Sequence, residues 1–288
     1  MAVVAGWVGA LGVLAAVITP GAVAAPGAVA PGAATPGTGA TPGAAIPLGA
    51  VDAPEAGVGP GAGAAPGVAV PPRVVSAGRD AAGGGFAVVG EVDATIGQEM
   101  RYATSRNFTG AVVDGYDEPV CLLARPAAEA LRRAQREALR GGYSLLVYDC
   151  YRPQRAVDRF VRWARDGADQ RTKAEFYPEV AKERLIPEGY IAERSGHSRG
   201  STVDVTLTQV GRGPLDMGTP FDFFDPLAHT DSPRVTGAAR EHRKLLGRLL
   251  GAQGFVNLPQ EWWHFTYAPE AFPDAYFDFP VSVASVHR

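Results

Sequence analysis

From Pro20 to Pro72 the chain runs through Pro-Gly-Ala units with almost no charge, few large side chains and no hydrophobic alternation. Such a stretch cannot bury a core, because each ordered residue costs about 1–2 kcal/mol of backbone entropy with no apolar area to offset it. Its Gly and Pro do not keep the strict three-residue period of collagen, so a flexible tether is expected. A second low-complexity patch, Ala81 to Gly85, extends it, giving a disordered Pro/Gly/Ala-rich linker over 26–85. What folds must therefore lie in 86–288, starting at the strand-like Phe86-Ala-Val-Val-Gly-Glu-Val, a length that suits one domain.

Ahead of the tether, Ala2 to Ile18 is almost wholly apolar and uncharged, with small residues following at Ala22 to Ala25. That length suits a signal-peptide core and approaches the lower limit of a membrane span. Residues 1–25 are thus expected to act as a cleaved signal or retained anchor. The protein would then be exported, with membrane or cell-wall association through this segment. No Lys or Arg precedes the apolar run, as one normally does in a signal; with a misplaced start the protein would be cytoplasmic. A formal charge of -3, a pI near 6.0 and no basic stripe argue against a nucleic-acid partner.

Within 86–288, helices are expected where apolar residues recur at helical spacing between start and stop signals. Pro126 to Arg140 has a Pro start and a Gly141-Gly142 stop, and Pro153 to Arg165 would bury Ala156, Val157, Phe160 and Val161. Thr172 to Leu185 and Ala238 to Gln253 complete the set. Strands are expected near Leu145 to Tyr148, Thr202 to Leu207 and His264 to Tyr267. Helices and strands interspersed with short, irregular connections predict an α+β domain, single and compact, with a mainly antiparallel central sheet flanked by helices.

Two stretches carry chemistry: Ser195-Gly-His197-Ser-Arg-Gly-Ser-Thr-Val-Asp204 and Glu261-Trp-Trp-His264. Taken singly, each residue has an ordinary reading, as a loop hydrogen-bonder, a turn residue or a surface charge. Together His197, Asp204 and His264 offer three of the four tetrahedral positions that zinc favours, leaving the last for water. Glu261 would then serve as the base for that water. Thr202, Asp204 and Thr206 share one strand face, which places the ligand on it, while His197 would project from a Gly/Ser bend. Glu261 and His264 sit at odd spacing, so a turn must intervene for both to reach one point. There is no His-Glu-x-x-His helix. Imidazole and carboxylate also accept cobalt, nickel or iron.

A third stretch, Leu145-Leu-Val-Tyr-Asp149-Cys-Tyr-Arg152-Pro, reads as a strand entering a helix, with Arg152 on the corner. Its guanidinium could face an oxyanion, oriented by Asp149. The plain alternative is a structural ion pair between the two.

With these motifs the chain resembles the zinc-dependent D-alanyl-D-alanine dipeptidases of the VanX type. The likeness runs from Arg101-Tyr-Ala-Thr-Ser-Arg-Asn-Phe-Thr-Gly and Val113-Asp-Gly-Tyr116, through Tyr148-Asp-Cys-Tyr-Arg-Pro-Gln-Arg-Ala-Val, to Tyr276-Phe-Asp-Phe-Pro280. It implies one Zn2+ per catalytic domain on His197, Asp204 and His264, with Glu261 as catalytic base and then acid and Arg152 stabilising the transition state. It further implies Tyr102 and Asp222 near the ammonium of a small D-dipeptide and Ser195 near its carboxylate. Two rivals are a D,D-carboxypeptidase acting on longer wall peptides and a non-catalytic, zinc-containing wall-binding protein. A structural zinc site, however, is usually closed by a fourth protein ligand, which nothing near these three supplies. Cys121 and Cys150 are the only cysteines. In an oxidising compartment they could pair; in a cytosolic enzyme they would be buried thiols.

Overall fold

The computed structural model describes residues 74–75 and 82–287. Residues 1–25, read as signal or anchor, and most of the 26–85 tether lie outside them. In chain order the elements are β1 (Val74–Val75), α1 (Ala82–Gly85), β2 (Phe86–Val88), α2 (Val89–Val92), β3 (Gly97–Gln98), β4 (Leu122–Ala124), α3 (Arg125–Arg140) and β5 (Tyr143–Asp149). Then come α4 (Gln154–Arg165), α5 (Lys173–Phe176), β6 (Thr202–Gln209), α6 (Gly237–Gly251), β7 (Phe255–Asn257), β8 (His264–Tyr267) and β9 (Tyr276–Phe277).

A five-stranded sheet in the order β3-β5-β6-β8-β7 forms the centre. Only β3 and β5 run parallel; the other three pairings are antiparallel, which is the expected α+β architecture. The central strand β6 is buried on both faces over Thr202 to Leu207, so its polar Thr202, Asp204 and Thr206 face protein rather than water. Helix α3 lies on β5 and α6, presenting Ala127, Ala130, Leu131, Ala134 and Ala138 inward. The four alanines among them leave little bulk between the helix and its neighbours.

Helix α4 begins one residue after Pro153, whose ring supplies an extended N-cap, and it buries Phe160 and Trp163. Phe160 packs 4.8 Å from Tyr102 and 4.7 Å from Phe108, ring centre to ring centre. This aromatic layer is the platform on which the cleft below is built.

The structure departs from expectation at Val89–Val92, part of the stretch read as strand-like, which forms α2, and in one longer helix. The helix predicted from Thr172 to Leu185 is only α5, with a separate 3-10 turn at Lys182–Arg184. Pro178 explains the break: it lacks an amide proton and disfavours helical backbone at Tyr177, which sits at φ -147°. Val74 and Val75, inside the segment read as linker, pair with Tyr276 and Phe277 in a parallel two-stranded ladder. Ala82–Gly85 of the same segment forms a helical turn. Two valines suffice where a strand edge offers unpaired backbone groups.

Candidate active site

Strand register builds the floor of the site. Asp149 of β5 stands opposite Asp204 of β6, which stands opposite His264 of β8, so three polar side chains form one row across the sheet. A register shift between Val147 and Asp149 lets the end of β5 join that row. Beside it, the turn Gly196–Arg199 carries His197, and Ser195 caps it by accepting from the His197 amide at 3.3 Å. The turn closes on Gly200 at φ +79°, where a Cβ would overlap the Phe86 ring.

The four motif residues converge. Nε2 of His197 and Nδ1 of His264 each lie 3.3 Å from Oδ1 of Asp204, and the ligand atoms of all three lie within 4.8 Å of one another. Turns at 259–260 and 262–263 swing the chain around, which brings the Glu261 carboxylate to 3.4 Å from His264 despite the odd spacing. Burial opposes charge on Asp204, but the two imidazoles outweigh it and hold its carboxyl far below the usual range. Burial likewise lowers His264, yet Asp204 and Glu261 together raise it to about 9.

The donor set fits a zinc ion. Among the described residues, Oδ1 of Asp204 is buried and accepts no hydrogen bond, although it points between two imidazole nitrogens. An orphaned carboxylate oxygen is costly, and a cation there satisfies it. The Nδ1 of His197 lies 2.7 Å from the carbonyl of Cys150. A carbonyl only accepts, so the ring proton sits on Nδ1 and the Nε2 lone pair faces the other two ligands.

Arg152 occupies the strand-to-helix corner. Its Nε donates to Asp149 at 2.9 Å, and its two Nη atoms lie 3.4 Å from Ser195 Oγ and 3.5 Å from Asp204 Oδ2. The guanidinium carbon also lies 5.1 Å from the Tyr102 ring centre and 5.0 Å from that of Phe160. Burial alone would lower its pKa, but Asp149 and its other anionic neighbours raise it instead.

Tyr102 and Asp222 meet at the far side of the same cleft, the phenol reaching both carboxylate oxygens at 3.1 and 3.0 Å. Asp222 sits at φ +60°, a left-handed conformation that Asp tolerates better than most side chains. Burial first, and Asp204 second, raise its carboxyl well above the usual range. The cleft encloses about 280 Å³ and is lined by Tyr102, Arg152, Ser195, Asp204, Asp222, Glu261 and His264.

Two contributors were not assigned a role by sequence reasoning. The Tyr116 hydroxyl donates to Asp149 at 2.6 Å, completing the shell around the carboxylate that holds Arg152. The Cys150 carbonyl is a backbone group, so no residue type could have signalled it. His229 lies in a different hollow, with Pro226 and Arg234. The ring of His242 is near the Asp216 carbonyl and that of His287 near Glu91. Cys121 and Cys150 are joined as a disulfide, their Cα atoms 5.3 Å apart.

Known proteins resemble this chain over most of the described residues. The profile of the family described as D-ala-D-ala dipeptidase matches residues 83–282. A D-alanyl-D-alanine dipeptidase of Streptomyces coelicolor is 44% identical over 200 residues, covering 69% of this chain and 99% of that protein. Proteins of the same name from Enterococcus faecalis and Enterococcus faecium are 41% and 38% identical, covering 69% and 68% of this chain and 98% of each relative.

Proposed function

The chain belongs to the D-ala-D-ala dipeptidase family, a family of metallopeptidases, and from that premise we propose that it hydrolyses D-alanyl-D-alanine to two D-alanines with one zinc ion. The observation that carries this reading is the orphaned Asp204 oxygen set between His197 and His264, with the Glu261 carboxylate beside them. Bound by His197, Asp204 and His264, zinc would supply Lewis-acid activation of water and of the scissile carbonyl.

The protein's own groups divide the remaining work. Glu261 accepts a proton on its carboxylate and returns it to the leaving amine. Arg152 presents its guanidinium to the oxyanion, held there by Asp149. Tyr102 and Asp222 receive the free ammonium, whose positive charge offsets the burial that disfavours a carboxylate at Asp222. Ser195, bonded to Arg152, would receive the substrate carboxylate. A cleft of about 280 Å³ lies near the small end of ligand pockets, which favours a dipeptide over a longer wall peptide.

The disulfide supports export, since such bonds persist mainly in oxidising compartments. An exported enzyme would scavenge dipeptides released by wall turnover; a cytoplasmic one would act on the precursor pool and so on glycopeptide resistance. Fractionation of the native host, with N-terminal sequencing of the mature protein, separates these roles. The activity itself is tested by metal analysis combined with amine release from D-Ala-D-Ala, L-Ala-L-Ala and a D-Ala-terminated pentapeptide. One zinc per chain and turnover of the D-dipeptide alone are expected. Preference for the pentapeptide would overturn the dipeptidase reading.

A further inference from the structure

We propose that the Cys121–Cys150 disulfide is a positioning element of the metal site, holding the corner that orients His197 and Arg152. This rests on the zinc reading above. The last residue of β5 and the segment after it place three groups at the site in four residues: the Asp149 carboxylate, the Cys150 carbonyl and the Arg152 guanidinium. Residues 150–153 belong to no strand or helix, so no ladder fixes them. Apart from the bonds that Pro153 O accepts at the start of α4 and those of the Tyr151 hydroxyl to Phe279, two backbone bonds tie them, Tyr151 N to Leu122 O at 2.8 Å and Arg152 N to His197 O at 3.3 Å. The second of these depends on the very turn that needs orienting.

The covalent tie supplies an independent anchor. Cys121 is itself held on both sides: its amide donates to Gln98 at 2.8 Å, and its carbonyl accepts from Val89 at 2.9 Å. Both cysteines are fully buried, and the bridge spans 29 residues that include α3 and β5. Through it the rigid β2–β4 pair fixes the carbonyl that in turn fixes the His197 ring. Groups that orient a metal-binding histidine typically alter metal affinity by about 10- to 100-fold when lost. The enzyme would therefore retain metal best in an oxidising compartment and release it more readily in a reducing one.

The test compares three proteins at a temperature well below every melting midpoint. They are the disulfide-bonded wild type, the Cys121→Ser/Cys150→Ser variant, and wild type reduced under mild denaturant with a phosphine and then freed of it. In that reduction one phosphine and one water yield two thiols and a phosphine oxide. Zinc retention against a chelator is read directly, with kcat and KM for D-Ala-D-Ala measured at saturating zinc. Both bridge-less proteins are expected to hold zinc about tenfold more weakly. Their kcat should fall further than KM rises, because Tyr102 and Asp222 stand on other segments. Reoxidation should restore the reduced wild type. If the variant fails to fold, the reduced wild type decides alone.

Unchanged zinc retention in folded, bridge-less protein, even with a lower melting midpoint, overturns the proposal and makes the bridge a staple of the fold only. Wild type that binds no zinc overturns the metal reading and this inference with it.

Discussion

The floor and the wall of the cleft are held by different forces. On the floor Asp149, Asp204 and His264 stand on adjacent strands, where ladder hydrogen bonds set neighbours about 4.8 Å apart before any side chain interacts. The wall, from Ser195 to Gly200 and around Asp222, has no such lattice. Its geometry depends on a serine cap, two left-handed residues and side-chain bonds to Arg152 and Tyr102. Precision on the floor is thus inherited from the sheet, while on the wall it must be built contact by contact. A lost floor ligand, Asp204 or His264, should therefore empty the site, and a lost wall residue other than the ligand His197 should detune it.

Asp204→Ala breaks this contrast most severely if it is wrong. Zinc content is expected to fall from one per chain to near none, and dipeptide hydrolysis to background, by metal analysis and amine release. Retained zinc in that variant would show that the row across the sheet does not hold the ion. Glu261→Gln comes next, because it keeps size and polarity but cannot take a proton. Turnover should drop by about 10³-fold with zinc content unchanged.

Asp222→Asn sharpens the wall's side of the comparison, since Asn tolerates the same left-handed backbone. KM for D-Ala-D-Ala should rise by about tenfold or more with a smaller change in kcat, the loss expected of one charge-assisted bond. An N-acetylated dipeptide, which lacks the ammonium, should not distinguish the variant from wild type. The smallest effect belongs to a pair remote from both regions. The exposed Arg171 holds the half-buried Asp169 carboxyl down at about 2, so its contribution is present above the unfolded value of 3.8 and lost as pH falls through about 2. Solvent screening limits it to below about 1 kcal/mol. The melting difference between wild type and Asp169→Asn should be small at pH 7 and narrow further below pH 4.

Much of the fold was legible because its signals are local. Apolar spacing with a Pro start and a Gly stop marked α3, and alternation marked β6. The failed helix at Thr172 to Leu185 shows the limit: Pro178 was in plain view, but its neighbours' helical spacing outweighed it. Strand β7, which completes the sheet, went unread because Phe255–Asn257 is too short to show a period. In the site, residue types and spacings pointed to His197, Asp204, Glu261 and His264. The bond from Tyr116 to Asp149 joins residues 33 apart in sequence and left no pattern.

By itself the amino-acid sequence determined which segments can bury a core, which side chains are able to bind a metal, and that a Pro/Gly/Ala tract precedes them. Only the tertiary structure decided that Asp149, Asp204 and His264 form one row, that Asp204 Oδ1 is left without a donor, and that the Cys150 carbonyl meets His197. The reason is physical. Composition and periodicity act within a few residues, whereas register, burial and the partner of a backbone carbonyl come into being when distant strands pair.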